Sequence, residues 1–296
     1  MSKGLKNHKI FLDDSVYSNE NPSEQNLDLY LPSSNRDYDE GTKTPTILII
    51  YVHGGAWRSG DKANGFSMGL IENLSIEFPE AALSSINYRL SRASESKPIR
   101  HPTHNSDAVQ AIEHLLNTPA INQVRSVYLI GHSVGAFISL SISNILGPSP
   151  IGGPRLDAKI KIAGLILVDG IYGLADLLTE YPIYKDFVDL AMGEKDSDRE
   201  FLREVSPLYW NVRSSSEEKK TPLQTEILII HSKQDNLLTT KQSELIYAHL
   251  KKLRAVERLE VDFDSVAGDH DELLKSSDPK SSDRVLKLYR KEIKRE

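Results

Sequence analysis

Val127-Tyr128-Leu129-Ile130-Gly131-His132-Ser133-Val134-Gly135-Ala136-Phe137-Ile138 sets an apolar run, a G-x-S-x-G pentapeptide and a second apolar run end to end. The pattern predicts a strand, a tight turn and a helix. In a nucleophile elbow of this kind the serine sits on a strained turn at the carboxyl end of a strand, and the flanking glycines let the turn pass close to its neighbours. Ser133 is thereby the candidate nucleophile. Gly and Ser are also ordinary turn residues, so the pentapeptide by itself fits a plain strand-to-helix turn as well. The decision rests on residues elsewhere in the chain.

Upstream of the elbow, Leu27-Asp28-Leu29-Tyr30-Leu31 alternates with period two and stops at Pro32, which predicts a half-buried strand inside a mostly polar stretch of residues 1–45. Residues 33–45 read as a surface loop. The run 46–52 (TILIIYV) has the continuous β-branched character of a strand covered on both faces, and it runs into His53-Gly54-Gly55-Ala56-Trp57. A helix through Met68, Leu70, Ile71 and Leu74, a strand over 82–88 and a polar loop over 91–98 follow. Ala108, Val109, Ile112, Leu115 and Leu116 then recur at helical spacing, with Asp107 expected in the first turn, where the helix dipole favours an anion.

Downstream, a Pro/Gly-rich loop (147–157) leads to a buried-type strand, 162–168, that ends at Asp169-Gly170. Residues 174–192 turn helical and carry Tyr181, Tyr184 and Phe187, and 213–221 form a charged loop, so that about 171–221 reads as a helical cap. A strand ending at Ile230 runs into His231-Ser232-Lys233-Gln234-Asp235. Thereafter come a helix over 241–253, a strand over 259–263, a loop reaching His270 and a charged helix over 281–294. Strands of buried type alternating with helices imply an α/β fold, a mostly parallel sheet with helices on both faces, in one domain spanning 1–296.

Composition removes several classes of function. With no cysteine, the chain has no disulfide, thiolate metal site or cysteine nucleophile, and Ser, His, Asp and Glu must carry any chemistry. A net charge of −6 with scattered Lys and Arg offers no basic field for nucleic acid. No apolar run approaches the ~20 residues of a spanning helix. The opening MSKGLKNHKIFLDDSV lacks the apolar core of a secretory signal, so the expected location is cytoplasmic. Oligomeric state, a homodimer included, is not readable.

A serine hydroxyl needs a base, and the base needs a group that fixes its tautomer and stabilises its charge. Asp235 follows Ser133 by 102 residues (235 − 133) and His270 follows Asp235 by 35 (270 − 235), in the order Ser, acid, His and each near a predicted strand end. Carboxyl ends of strands are where doubly wound sheets gather functional groups. Asp169 and Asp271 compete for the acid's role from less favourable places. Backbone N–H groups of Gly54, Gly55 and Val134 are the candidate oxyanion donors. His53 and His132 read as structural supports of these loops. His101 and His104, with Pro102 between them and no carboxylate cluster nearby, make a poor metal pair. Arg89 reads as an internal ion-pair partner; Trp57 and Tyr172 as core aromatics or pocket lining; Ser59, Arg58 and Asn87 as open candidates for the polar end of a substrate.

Taken together, HGGAW, NYRLS, GHSVGA, LVDGIYGLADLLTEYP, HSKQDNLL and DHDELL resemble the arylformamidases, those of the fungal kynurenine type in particular, from about Thr46 to Leu274. The DGIYGLADLLTEYP segment, and Ala-Trp after HGG where many lipases carry a third glycine, narrow the match. The resemblance implies an α/β-hydrolase fold and hydrolysis of N-formyl-L-kynurenine to L-kynurenine and formate without metal or cofactor. It places the triad on Ser133, Asp235 and His270 and the oxyanion motif on the HGG that begins at His53. A carboxylesterase of broad scope and a catalytically inert binding protein of the same fold are the alternatives to be separated by experiment.

Overall fold

The computed structural model of the chain describes residues 5, 7–33, 44–143, 145–146, 153–157, 160, 162–193, 199–211 and 223–275. The chain opens with β1 (His8–Val16), β2 (Asn26–Pro32), β3 (Ile47–Val52), α1 (Gly65–Glu77), β4 (Ala82–Ile86) and α2 (Thr103–Leu116). Next come β5 (Ser126–His132), α3 (Val134–Ile142), β6 (Ile162–Val168), α4 (Leu174–Glu180), α5 (Lys185–Met192) and α6 (Arg199–Val205). The described part closes with β7 (Leu223–Ile230), α7 (Lys241–Leu253), β8 (Val256–Asp262) and α8 (Glu272–Lys275). Most of the loop expected at 33–45, part of that at 147–157, the charged loop at 213–221 and the closing helix at 281–294 lie outside the described residues.

Eight strands form one sheet in the order β1-β2-β4-β3-β5-β6-β7-β8. The pairs β1·β2 and β2·β4 are antiparallel and all others parallel. This is the α/β-hydrolase sheet. The continuous apolar strands arise because both faces are covered. Along β3, Leu48, Ile50 and Val52 enter one core while Ile49 and Tyr51 enter the other; along β5, Val127 and Leu129 face Tyr128 and Ile130 in the same way. Burial of each such aliphatic side chain stabilises the fold by ~1.5–3 kcal/mol. The helix α1 starts where Asn64 Oδ1 accepts the N–H groups of Phe66 (3.0 Å) and Ser67 (2.9 Å), an Asn N-cap.

Two expectations change. The strand at Leu27–Leu31 is wholly buried rather than half-buried, because both its faces are covered: Leu27, Leu29 and Leu31 enter one core and Tyr30 the other, while β1, which the sequence did not suggest, pairs along its outer edge. Asp28 tolerates that burial because Lys62 Nζ lies 2.7 Å from its Oδ1 and Tyr30 Oη donates to its Oδ2 at 3.1 Å. Asp107 lies beyond the first turn of α2, since the helix begins at Thr103. Its role is pairing: it accepts from the Arg89 backbone N–H and Nε (both 2.9 Å), from Arg89 Nη2 (2.7 Å) and from Gln25 Nε2 (3.0 Å). Arg89 is thus the internal ion-pair residue its sequence context suggested. Among the described residues no helix is long and apolar enough to cross a membrane.

Candidate active site

The carboxyl ends of three adjacent parallel strands are hooked together. Beyond β5 the Ser133 N–H donates to Val168 O (2.9 Å), beyond β6 the Asp169 N–H donates to Ile230 O (2.9 Å), and beyond β7 the His231 N–H donates to Asp262 O (3.1 Å). The hooks set Ser133, Asp169 and the 231–235 loop in a row. Ser133 has φ 55° and ψ −119°, a strained backbone held by its surroundings. The elbow needs Gly135 because a Cβ there would fall 2.1 Å from Val52 O, where β3 ends. Gly54 is needed for a similar reason: its Cβ would come within 3.0 Å of Ser133 Cβ and 2.8 Å of His132 Nδ1. The HGG loop therefore lies directly against the elbow. Among the described residues no acceptor takes the N–H of Gly54, Gly55 or Val134; Gly54 and Val134 are buried and Gly55 half-buried, and buried donors without acceptors are rare.

His270 reaches the same place from the loop after β8. Its Nδ1–H donates to Asp235 Oδ2 at 2.6 Å, which leaves Nε2 as the basic nitrogen of the neutral ring. Asp235 Oδ1 accepts from the N–H groups of Leu237 (2.7 Å) and Leu238 (2.9 Å), and its side chain is fully buried. Burial alone would raise the Asp235 pKa, but hydrogen bonds from His231 and His270 and the His270 charge hold it well below the usual carboxylate range. Burial would lower the His270 pKa, yet Asp235, through its hydrogen bond and charge, with Asp169 and Asp271 more weakly, brings it above the usual imidazole value.

His132 and His53 support the site, each in a defined tautomer. His132 Nε2–H donates to His270 O at 2.9 Å, and the two rings sit 4.7 Å apart. Burial drives the His132 pKa to about 3. His53 stacks on Tyr88 at 4.3 Å and its Nδ1–H donates to Gly54 O at 2.7 Å; burial lowers its pKa to about 4. Both rings are neutral struts.

Other expectations are sorted by burial. Trp57 and Tyr172 are both 0 % exposed, so the pocket-lining reading gives way to packing. Trp57 meets Phe137 edge-on (5.3 Å) and Phe187 (6.3 Å), while the Tyr172 N–H donates to Gln242 Oε1 at 2.9 Å. Asn87 is committed to the fold, accepting from the Lys62 N–H (2.7 Å) and donating to Asn26 Oδ1 (3.0 Å). Ser59 Oγ donates to Gly55 O at 3.0 Å. Arg58 is exposed, its guanidinium 5.5 Å from the Phe187 ring centre. From Phe187 an aromatic row continues through Tyr184 (5.2 Å) to Tyr181 (5.0 Å). Tyr184 Oη donates to Leu237 O (2.8 Å) and Tyr181 Oη accepts the Thr239 N–H (2.9 Å). The segment 181–187 thus ties the HGGAW loop to the Asp235 loop.

Two residues of the site carry no sequence signal strong enough to find them. His231, four residues before Asp235, has its Nε2 3.4 Å from Asp235 Oδ2 and accepts from Ser243 Oγ at Nδ1 (2.8 Å). Asp169, which reads from the sequence as a weak rival for the acid, is 0 % exposed and lies between the two loops.

Potential metal ligands cluster as His132, Asp169 and His270, as Asp169, His231 and Asp235, and as Asp13, Asp14 and Asp28. The last group is already met by Lys62 Nζ, 2.7 Å from both Asp14 and Asp28. In the first two, His132 Nε2 and both His231 nitrogens are occupied by hydrogen bonds, and His270 Nδ1 is bound to Asp235. That donor set suits proton handling better than ligation. His101 and His104 do not join any of these clusters.

The BD-FAE family matches residues 27–250. The kynurenine formamidase of Meyerozyma guilliermondii is 37% identical over 204 residues, covering 68% of this chain and 70% of that one. The kynurenine formamidase of Eremothecium gossypii is 32% identical over 222 residues, covering 72% and 83%. In three dimensions a truncated carbohydrate esterase from gut microbiota superposes with a TM-score of 0.68 at 17% identity, over 99% of this chain and 98% of that one, a likeness of fold. An elbow serine pressed against an HGG loop, on this sheet and with relatives of this similarity, means that the chain belongs to the BD-FAE family of α/β-hydrolases and, within it, with the kynurenine formamidases.

Proposed function

We propose that the protein hydrolyses N-formyl-L-kynurenine to L-kynurenine and formate, with Ser133 as nucleophile, His270 as base and acid, and Asp235 as the group that holds His270. The observation that carries the reading is the 2.6 Å bond from His270 Nδ1 to a fully buried Asp235, in a loop that His132 fastens to the elbow. The relatives at 37% and 32% identity support the choice of substrate.

Ser133 Oγ attacks the formyl carbon while His270 Nε2 takes its proton. The tetrahedral oxyanion accepts hydrogen bonds from the Gly54, Gly55 and Val134 N–H groups, each such donor contributing ~3 kcal/mol to the transition state. On collapse the C–N bond breaks and the imidazolium hands its proton to the departing arylamine nitrogen. Water then attacks the formyl-serine, His270 takes its proton, and the second collapse releases formate and returns the proton to Ser133. The steps balance with water alone and call for no metal or cofactor. In this reading about 171–221 is the helical cap of a single domain, and the partner is a small molecule.

The test is turnover of N-formyl-L-kynurenine by the purified protein beside Ser133→Ala. Loss of nearly all turnover in a folded variant is expected; retention of wild-type turnover ends the serine assignment. A kcat/KM for formylkynurenine no greater than for a short-chain aryl ester would move the reading to a carboxylesterase.

A further inference from the structure

Asp169 is a buried carboxylate without an assigned task. It sits one residue beyond β6 in the left-handed region (φ 44°), a conformation that costs a non-glycine residue energy and persists where the surroundings impose it. Its Oδ1 accepts the Ser232 N–H at 2.9 Å. Its Oδ2 is buried and, among the described residues, has no hydrogen-bond partner. One of its oxygens and one ring nitrogen each of His132 and His270 lie within 4.8 Å of one another. On the other side His231 Nε2 is 3.8 Å from Oδ1, and Asp235 belongs to the same tight group. Tyr172 completes its charged and titratable surroundings. For His270 the facing groups are Asp235, Asp169, His132 and its own neighbour Asp271.

We propose that Asp169 is a positioning residue for His270: a second carboxylate that stabilises the imidazolium through space while Asp235 does so through its hydrogen bond. Geometry favours this over a purely structural post. A structural link to Ser232 needs one acceptor oxygen, which a neutral side chain supplies equally well, whereas a buried carboxylate with one oxygen unpartnered is costly. The free oxygen is the part that only the charge explains. Burial raises the Asp169 pKa to about 7, against the His231 charge and the Ser232 hydrogen bond, so ionisation is available at neutral pH and is favoured further once His270 becomes cationic. Charges this close in a site shielded from water are screened weakly.

The inference rests on the triad reading above. Asp169→Asn tests it, because Asn tolerates the left-handed conformation and keeps an oxygen for the Ser232 N–H while removing the charge. Expected are an acid limb of kcat/KM moved about half a pH unit to lower pH, since His270 loses a raising influence, and a plateau kcat about ten-fold lower, with the urea midpoint unchanged or higher. Asp235→Asn/Asp169→Asn should fall at least ten-fold below Asp235→Asn alone. An unmoved acid limb, or a double variant equal to the single, overturns the proposal; Asp169→Ser, a neutral acceptor of smaller size, gives the same readings should the Asn variant not fold. Full turnover in Ser133→Ala would instead remove the triad itself.

Discussion

Two regions of the molecule bury carboxylates, and they meet them with different partners. Near the antiparallel edge, Asp28 faces Lys62 at 2.7 Å and Asp107 faces Arg89 through a fork of hydrogen bonds. At the carboxyl edge of the parallel strands, the ionisable bases beside Asp235 and Asp169 among the described residues are the imidazoles of His231, His270 and His132. Lys and Arg are permanently charged at neutral pH, so the first region is fixed ionic structure. Imidazole carries charge conditionally, so the second region keeps its charge balance adjustable, as a proton-transferring site requires. The residue that neutralises a buried acid thus separates scaffold from chemistry.

The contrast can be broken at several points. Ser133→Ala should reduce kcat by about 10⁶-fold with the fold intact, as loss of a triad serine does elsewhere. Asp235→Asn removes the charge that His270 leans on and should cost about 10⁴-fold in kcat, read by initial rates on formylkynurenine. Lys62→Met in the other region should lower unfolding stability by ~3–5 kcal/mol, because Asp28 is left buried and unpaired, while kcat of the folded fraction stays within two-fold. Urea titration and active-site counting separate the two effects.

Titration sharpens the same comparison. The His53, His104 and His132 pKa values are pushed down to about 4, 3 and 3 by burial, and that of Asp169 is pushed up to about 7 by burial. Between pH 6.5 and 4.5 the unfolded chain therefore binds three protons at these histidines that the fold does not, a difference reduced by at most one proton taken up at Asp169 while the neighbouring His270 charge opposes that uptake. With two to three protons favouring the unfolded state, stability should fall by up to ~4 kcal/mol per pH unit on acidification, visible in urea midpoints. His270 works in the opposite sense: its raised pKa contributes stability below the unfolded value of ~6.5, lost as pH rises through the folded value. The smallest expected effect is on rate. Because the base must be neutral, kcat/KM should fall on the acid side with a midpoint above ~6.5, by less than ten-fold per pH unit; a flat profile from pH 5 to 8 would exclude His270 as base.

The parallel half of this molecule was legible in the sequence because its signals are local. Buried parallel strands are continuous apolar runs, and the G-x-S-x-G turn, the HGG loop and the order of Ser133, Asp235 and His270 each follow a strand. The strand β1 was not legible, since most of HKIFLDDSV faces outward and carries no alternation of burial. Asp169 and His231 were obscure for another reason: their neighbours come from adjacent strands and loops, set by sheet order rather than chain order. Trp57 and Tyr172 could be core or pocket by type alone, and only burial decided them.

The three hooks at the strand ends have a consequence for how such a chain can change length. Ser133, Asp169 and His231 are each anchored to the strand beside them, so one residue gained or lost inside β5, β6 or β7 would pull a functional group out of line with the other two. The stretch between the Asp169 hook and the start of β7 at Leu223 is pinned where it begins, by Ile171 N–H to Ser133 O (3.4 Å) and Tyr172 N–H to Gln242 Oε1 (2.9 Å), but it carries none of Ser133, Asp235 and His270. Insertions and deletions over geological time are expected to accumulate beyond those pins, so that sequence length drifts there while the spacing of the reacting groups is inherited unaltered.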